Sequence, residues 1–362
     1  MKRFTLFALL SLIGFWVYAD VLTLKPGRPD TYVVKKGDTL WDISAMFLND
    51  PWRWPKLWGA NPQIANPHLI FPGDRLTLVF IDGEPRLVNK PFIHNSPEGR
   101  IKSKSDAIPL IDLALIEQYL VQNRIVDPDW LQQQPMVLGG ESPSKHHVAD
   151  NIIYIRGNLP EGTKLGIYQP GRQFEDDSSG ESLGQEAILT ATGRVIEAGD
   201  ISKVLLLNNF RETVAGFRAF SLEDDAFMSA YLMPHAGTVA GAKVLASEKD
   251  IREMGKFDIV YINRGSKDGV EAGQVFTVFK PGAEVVIGND NIPVLPDEQS
   301  AYDKLLAAMD SESAVKLPNL YRGQLMVFKV FDKTSMGLIL VDKRPVRVGD
   351  LLTQPVTILK GE

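Results

Sequence analysis

The histidines are His68, His94, His146, His147 and His235, and none stands in the HExxH spacing that places two imidazoles on one helical face for zinc. His146 and His147 are adjacent; as loop neighbours they read as polar surface rather than as a metal site. Asp176-Asp177 and Asp224-Asp225 are neighbouring pairs, and side chains of neighbours in a strand or loop point apart. That is poor geometry for a paired acid and base. No GxSxG elbow, phosphate loop or GxGxxG after a strand occurs. The chain has no cysteine, which removes thiolate nucleophiles, thiolate metal sites and disulfides together. These residues imply a protein that is not an enzyme and carries no cofactor or metal.

Recognition chemistry is better supplied. Tyr32-Val33-Val34-Lys35 alternates as a strand and breaks at Lys36-Gly37-Asp38. Thr39 then opens a helix whose apolar face is Leu40, Ile43 and Phe47. Asp42 stands three residues after Thr39, as in a capping box with Asp for Glu. A second short helix is predicted from Pro55 to Asn61, with Leu57 and Trp58 as its apolar face. Turns follow at Asn61-Pro62, Asn66-Pro67 and Phe71-Pro72-Gly73-Asp74, and Arg75 to Val79 reads as the closing strand. An aromatic insert, Asn49 to Trp54, lies between the helices.

The stretch from Tyr32 to Leu78 resembles the LysM module, through Tyr32-Val33-Val34, Gly37-Asp38-Thr39-Leu40-Trp41, Ile43, Asn61-Pro62 and Ile70 to Gly73. The resemblance implies a βααβ fold that binds N-acetylglucosamine-containing glycan strands of peptidoglycan or chitin. It places the sugar between the loop after the first strand and the loop before the second. Carried over, the glycan-binding residues are Gly37, Asp38, Thr39, Leu40, Asn66, Pro67, His68, Leu69 and Ile70. The residue types suit the ligand: glycine admits close backbone approach, Thr39 offers a hydroxyl, and Leu40 and Leu69 offer apolar contact. An alternative reading has Thr39 only capping the helix and Leu40 only filling the core. For Trp41, Trp52, Trp54 and Trp58, core packing is favoured over sugar stacking.

Composition is that of a globular protein, 44% hydrophobic and 23% charged. Met1 to Ala19 reads as a signal peptide: Lys2 and Arg3 form its charged start, Phe4 to Trp16 its apolar stretch, and cleavage is expected after Ala19. An uncleaved anchor is the alternative. The net charge is −6; losing Lys2 and Arg3 leaves 37 basic against 45 acidic residues, or −8. Such acidity argues against nucleic acid as a partner. No later segment approaches about 18 apolar residues, so no membrane span is expected after cleavage.

Asp82 to Lys104 is polar and rich in Gly and Pro, a linker with one or two weak strands. Asp112 can cap a helix bearing Leu115, Ile116, Tyr119 and Leu120. Asp127-Pro128-Asp129 begins a turn with Trp130 and Leu131 packing back, and Pro135 to Ser144 reads as extended or loop. From Asn151 the chain is β-rich and duplicated. Ile152 to Gly157 and Gly162 to Gly171 correspond to Ile259 to Gly265 and Gly273 to Gly282; Gly184 to Ile196 corresponds to Gly323 to Phe331; Val204 to Phe217 corresponds to Gly337 to Gly349. Alternation such as Val275, Thr277, Phe279 predicts half-buried strands closed into half-barrels. Glu175 to Ser182 is an acidic loop, and Asn289 to Pro318 an insert with helical residues Ala301 to Met309.

The expected architecture is therefore multidomain and mainly β with α+β parts. It comprises a signal peptide (1–19), the LysM-like module (20–81), a small α/β connector (82–145) and two β-rich repeats (146–235 and 236–362). This order resembles the type IV pilus secretin-associated (TsaP-like) family, whose C-terminal region is similar to the flagellar assembly protein FlgT. Tyr261-Ile262-Asn263 through Gly273 and Val348-Gly349-Asp350 carry the second part of the likeness. The resemblance implies a non-catalytic periplasmic adaptor that ties an outer-membrane secretin to peptidoglycan. The alternatives are a LysM-targeted regulatory subunit of a cell-wall hydrolase and a general envelope-integrity factor.

Overall fold

The computed structural model describes residues 22–58, 70–89, 111–112, 115–116, 119, 123–222, 232–287, 293–294 and 314–356. The signal-peptide residues, Asn66 to Leu69, Asp224-Asp225 and the helical stretch Ala301 to Met309 lie outside the described residues.

The N-terminal module is built as its pattern requires. Strand β1 (Thr31–Val33) pairs antiparallel with β2 (Arg75–Ile81), and β2 pairs with β3 (Glu84–Asn89). Asp82 and Gly83 both take positive φ (53° and 82°), the turn that matches the twist of a two-residue hairpin. Thr39 caps helix α1 (Leu40–Phe47), its hydroxyl oxygen accepting from the Asp42 N–H at 3.1 Å. That hydroxyl donates to the Asp42 carboxylate at 2.7 Å, so the reciprocal contact runs to the side chain rather than to the capping backbone. A 3-10 turn at Pro51–Arg53 leads into helix α2 (Trp54–Trp58). Val34, Leu40, Ile43, Phe47, Trp54, Leu57, Ile70, Leu76 and Leu87 form the core, each at most 2% exposed.

The remainder is mainly strand. β4 (Asn123–Val126), helix α3 (Pro128–Gln133) and β5 (Met136–Gly140) are followed by β6 (Ile152–Arg156), β7 (Lys164–Glu175), β8 (Ser182–Glu197), β9 (Ile201–Asn209) and β10 (Arg218–Ser221). Pairing runs β8-β7-β10-β5-β6-β9 and returns from β9 to β8, a closed ring of six strands, with β4 added to the far end of β8. Closure is possible because β8 is 16 residues long and is bulged at Thr192/Gly193, which bends it across the ring. A Cβ at Gly193 would stand 2.6 Å from the Val204 side chain, so this bend needs glycine.

The second half follows the same plan. Its strands are β11 (His235–Ala236), β12 (Val244–Ser247), β13 (Ile259–Ile262), β14 (Gln274–Lys280), β15 (Glu284–Ile287), β16 (Pro293–Val294), β17 (Ala314–Lys316), β18 (Leu320–Val330), β19 (Ser335–Asp342) and β20 (Leu351–Thr353). The order β12-β13-β19-β18-β14-β20 repeats β5-β6-β9-β8-β7-β10 strand for strand. The seam between β20 and β12 is stitched by Val244 N–H to Asp350 O (2.9 Å) and Leu352 N–H to Ala242 O (2.8 Å). Where the sequence implies half-barrels, both copies thus close on themselves, which satisfies the edge groups an open sheet would leave unpaired. Strand β5 lies in the stretch read as extended or loop, and it completes the first ring.

The second ring is buried on both faces, unlike the half-buried strands expected from alternation. Val275, Phe276, Thr277 and Val278 are all fully buried. Val260, Ile262, Phe276, Leu325 and Val327 fill the ring. Tyr261, Met326, Phe328, Met336 and Leu338 face outward into one continuous apolar cluster with the N-terminal module, Ile111, Ile116, and Phe174 and Leu183 of the β7-β8 hairpin. Double coverage explains the unbroken apolar runs Ile259 to Ile262 and Leu325 to Phe328.

Candidate functional site

The loop after β1 and the turn before β2 are joined at their bases. Val34 N–H donates to Asp74 O at 2.9 Å, and Gly73 N–H donates to Val34 O at 2.8 Å. Both segments therefore sit at one end of the module. Asp74 closes its own turn by accepting from Phe71 N–H at 2.9 Å.

Gly37 is exposed, with φ 93° and no atom within 4 Å of where a Cβ would stand. Its peptide groups are open to a ligand and its conformation disfavours any side chain. Asp38 turns back onto the strand. Its carboxylate accepts from Lys35 N–H at 2.7 Å and from the Tyr32 hydroxyl at 2.9 Å. Burial and this hydrogen bond push the Tyr32 hydroxyl up to about 12, so it stays a donor. Thr39 is 7% exposed and bonded to Asp42, so its hydroxyl serves the cap first.

Leu40 and Ile70 have no exposed surface. The apolar contact assigned to the Leu40 side chain is corrected accordingly: helical periodicity turns it into the core, and only backbone at these two positions can face a ligand. Asn66, Pro67, His68 and Leu69 lie outside the described residues. Trp41, Trp54 and Trp58 are buried, as core packing requires, and Trp52 is half-buried with the Arg53 guanidinium 5.0 Å over its ring. What this end offers is exposed backbone around Gly37, flanked by the exposed Lys35 and Lys36. Open peptide groups of this kind suit hydrogen bonding to acetamido and hydroxyl groups.

Of the histidines and acidic pairs weighed for chemistry, His68, His94 and Asp224-Asp225 lie outside the described residues. Among the described residues, no group of three or more His, Asp or Glu side chains could hold a metal ion. His146 faces out to Glu212 at 2.8 Å, while His147 is buried and its basicity is lowered by burial and by His146. Asp176 is buried between the two rings and Asp177 is exposed, so the pair does point apart.

Residues 32–79 match the LysM domain family. They form a LysM domain. A 60-residue segment is 43% identical to "Uncharacterized protein YqbP" of Bacillus subtilis (strain 168), a match covering 14% of this chain and 27% of that protein. The chain thus spans about a quarter of the length of the curated relative it matches. The LysM domain points to peptidoglycan or a related N-acetylglucosamine glycan as the ligand, and to association with the cell wall. No helix among the described residues is long and apolar enough to cross a membrane.

Sequence reasoning missed one neighbour of the domain. Lys256, in the turn between β12 and β13, lies 3.7 Å from Asp42 at the start of α1. More than two hundred residues separate them, and no local pattern announces the contact.

Proposed function

We propose that the chain is a non-catalytic adaptor of the periplasm. Its LysM domain holds peptidoglycan glycan strands and its paired rings hold a protein of the envelope, the outer-membrane secretin of a type IV pilus system. The observation that carries the reading is the LysM domain at residues 32–79, followed by two ring-shaped copies whose recurring residues are strand apolar, glycine and proline. One LysM copy binds weakly alone, so it serves best to localise an attached partner. Export by the 1–19 signal peptide, with cleavage after Ala19, brings the domain to its ligand. Linking a secretin to the wall would let pilus forces load peptidoglycan rather than the bilayer.

The test is retention of the full-length chain on purified sacculi, followed by co-purification of the tagged chain, expressed at native level, with envelope proteins. Retention together with a secretin supports the reading. Recovery of a wall hydrolase, or release of muropeptides, replaces the secretin role with hydrolase targeting. Absence of retention sinks the glycan claim.

A further inference from the structure

We infer that the second ring supplies an additional subsite to the LysM glycan site, built on the Gly255 to Asp258 turn, with Phe257 as a stacking surface for a sugar ring. The inference rests on the glycan-binding reading above and extends it to a long N-acetylhexosamine chain. The turn stands beside the candidate loop: Thr39 bonds Asp42 at 2.7 Å, and Asp42 lies 3.7 Å from the Lys256 ammonium. Only the Asp42 carboxylate separates the Thr39 hydroxyl from Lys256.

Phe257 is unusual in two ways. Its φ is 71°, a conformation rare for a bulky residue and favoured only by Gly, Asn or Asp. The residue is also 42% exposed, so part of the aromatic faces solvent. The equivalent turn of the first ring carries Asp150 at φ 66°, its N–H donating to Leu206 O at 2.9 Å, so the conformation belongs to the repeated turn and the second ring alone places an aromatic on it. The surroundings hold this turn in place. Phe257 N–H donates to Ile339 O at 2.7 Å, and Gly255 N–H donates to the Asp258 carboxylate at 2.9 Å. Lys249 reaches the same carboxylate at 3.1 Å, and buried Met254 pairs with Val346. Lys256 lies 4.5 Å over one face of the Phe257 ring and leaves the other face for a ligand. An exposed aromatic held rigidly suits the apolar face of a pyranose, because no ordering of the side chain is needed on binding.

The test uses the full-length protein and calorimetric titration with N-acetylglucosamine tetra- and hexasaccharides. Phe257→Asn removes the ring and keeps a residue that accepts positive φ, so its melting temperature should equal or exceed that of the wild type. The variant should bind the hexasaccharide about threefold to tenfold more weakly, the worth of one aromatic contact, and the tetrasaccharide with little change. Equal hexasaccharide affinity in variant and wild type overturns the subsite and leaves the LysM reading intact. An equal loss for both ligands also overturns it, because the ring would then act only by shaping the domain. A wild-type chain that binds neither ligand overturns both readings.

Discussion

Replacing Tyr261 with Phe should loosen the two rings from each other. Tyr261 sits on the outward face of the second ring and is fully buried. Its hydroxyl donates to the carboxylate of Glu186, which stands on β8 of the first ring and is 4% exposed. Asn123 donates to the same hydroxyl at 3.3 Å. The other carboxylate oxygen of Glu186 accepts from Arg172 Nε at 3.2 Å, and the Arg172 guanidinium reaches Ser247 O (2.8 Å) and Glu248 O (3.3 Å) back on the second ring. Burial, reinforced by the Glu186 charge, raises the Tyr261 hydroxyl well above its ordinary value, so it remains a donor at every working pH. A hydrogen bond to a charged acceptor contributes about 1.5–3 kcal/mol. Phenylalanine keeps the ring volume, and Arg172 still neutralises Glu186, so no unpaired buried charge is created. The expected loss is about 2 kcal/mol. For a domain of about 150–250 residues each kcal/mol moves the Tm by about 2–4 °C, giving a fall of about 4–8 °C by scanning calorimetry. Glu186→Ala should cost at least as much, because it removes the acceptor of both Tyr261 and Arg172, although Arg172 keeps the Ser247 and Glu248 carbonyls and Asp250 at 3.8 Å. A Tyr261→Phe protein melting within about 1 °C of wild type would refute the view that this cluster locks the rings.

Thr39→Val should destabilise the LysM domain by about 1 kcal/mol through loss of the helix cap, measurable as a lower urea midpoint, and should reduce retention on sacculi. Gly37→Ala meets no atom, so its cost is backbone conformation alone, about 1 kcal/mol from thermal melts; a neutral result would mean the loop relaxes out of φ 93°. Asp176 accepts from the Ser178 hydroxyl, from Ser178 N–H at 2.9 Å and from Asn263 at 3.1 Å, and these bonds hold its carboxyl well below the usual carboxylate range. Its contribution is therefore present above the unfolded value of 3.8 and is lost as pH falls through that window, where the unfolded chain binds the extra proton. Asp176→Asn should flatten the fall in urea midpoint between roughly pH 5 and pH 2, and an unchanged acid limb would remove Asp176 as its source.

Local pattern carried the LysM domain. The strand at Tyr32, the Thr39 cap, the Leu40, Ile43, Phe47 face and the Gly73 turn are short-range features, and their spacing alone sets which side of each element is apolar. The same holds for the duplication, because equivalent glycines and apolar runs recur in order and the two rings share one strand order. The candidate site was legible as a loop, but not as side chains. Periodicity identifies Leu40 as apolar, and only packing shows that it is sealed in the core.

What the sequence by itself determined was the helix and strand pattern of the recognition domain and the order of the duplicated segments, since those depend on neighbours a few residues apart. Tertiary structure alone decided three things. It closed the rings, because β8 pairs with both β7 and β9 and Lys243 meets Leu351. It buried the second face of β13, β14, β18 and β19, because the LysM domain and the β7-β8 hairpin cover that face. It also set Lys256 and Phe257 beside Asp42. Each is a meeting of surfaces distant in the chain, fixed by the apolar area they jointly remove from water, and one-dimensional spacing does not encode which surfaces those are.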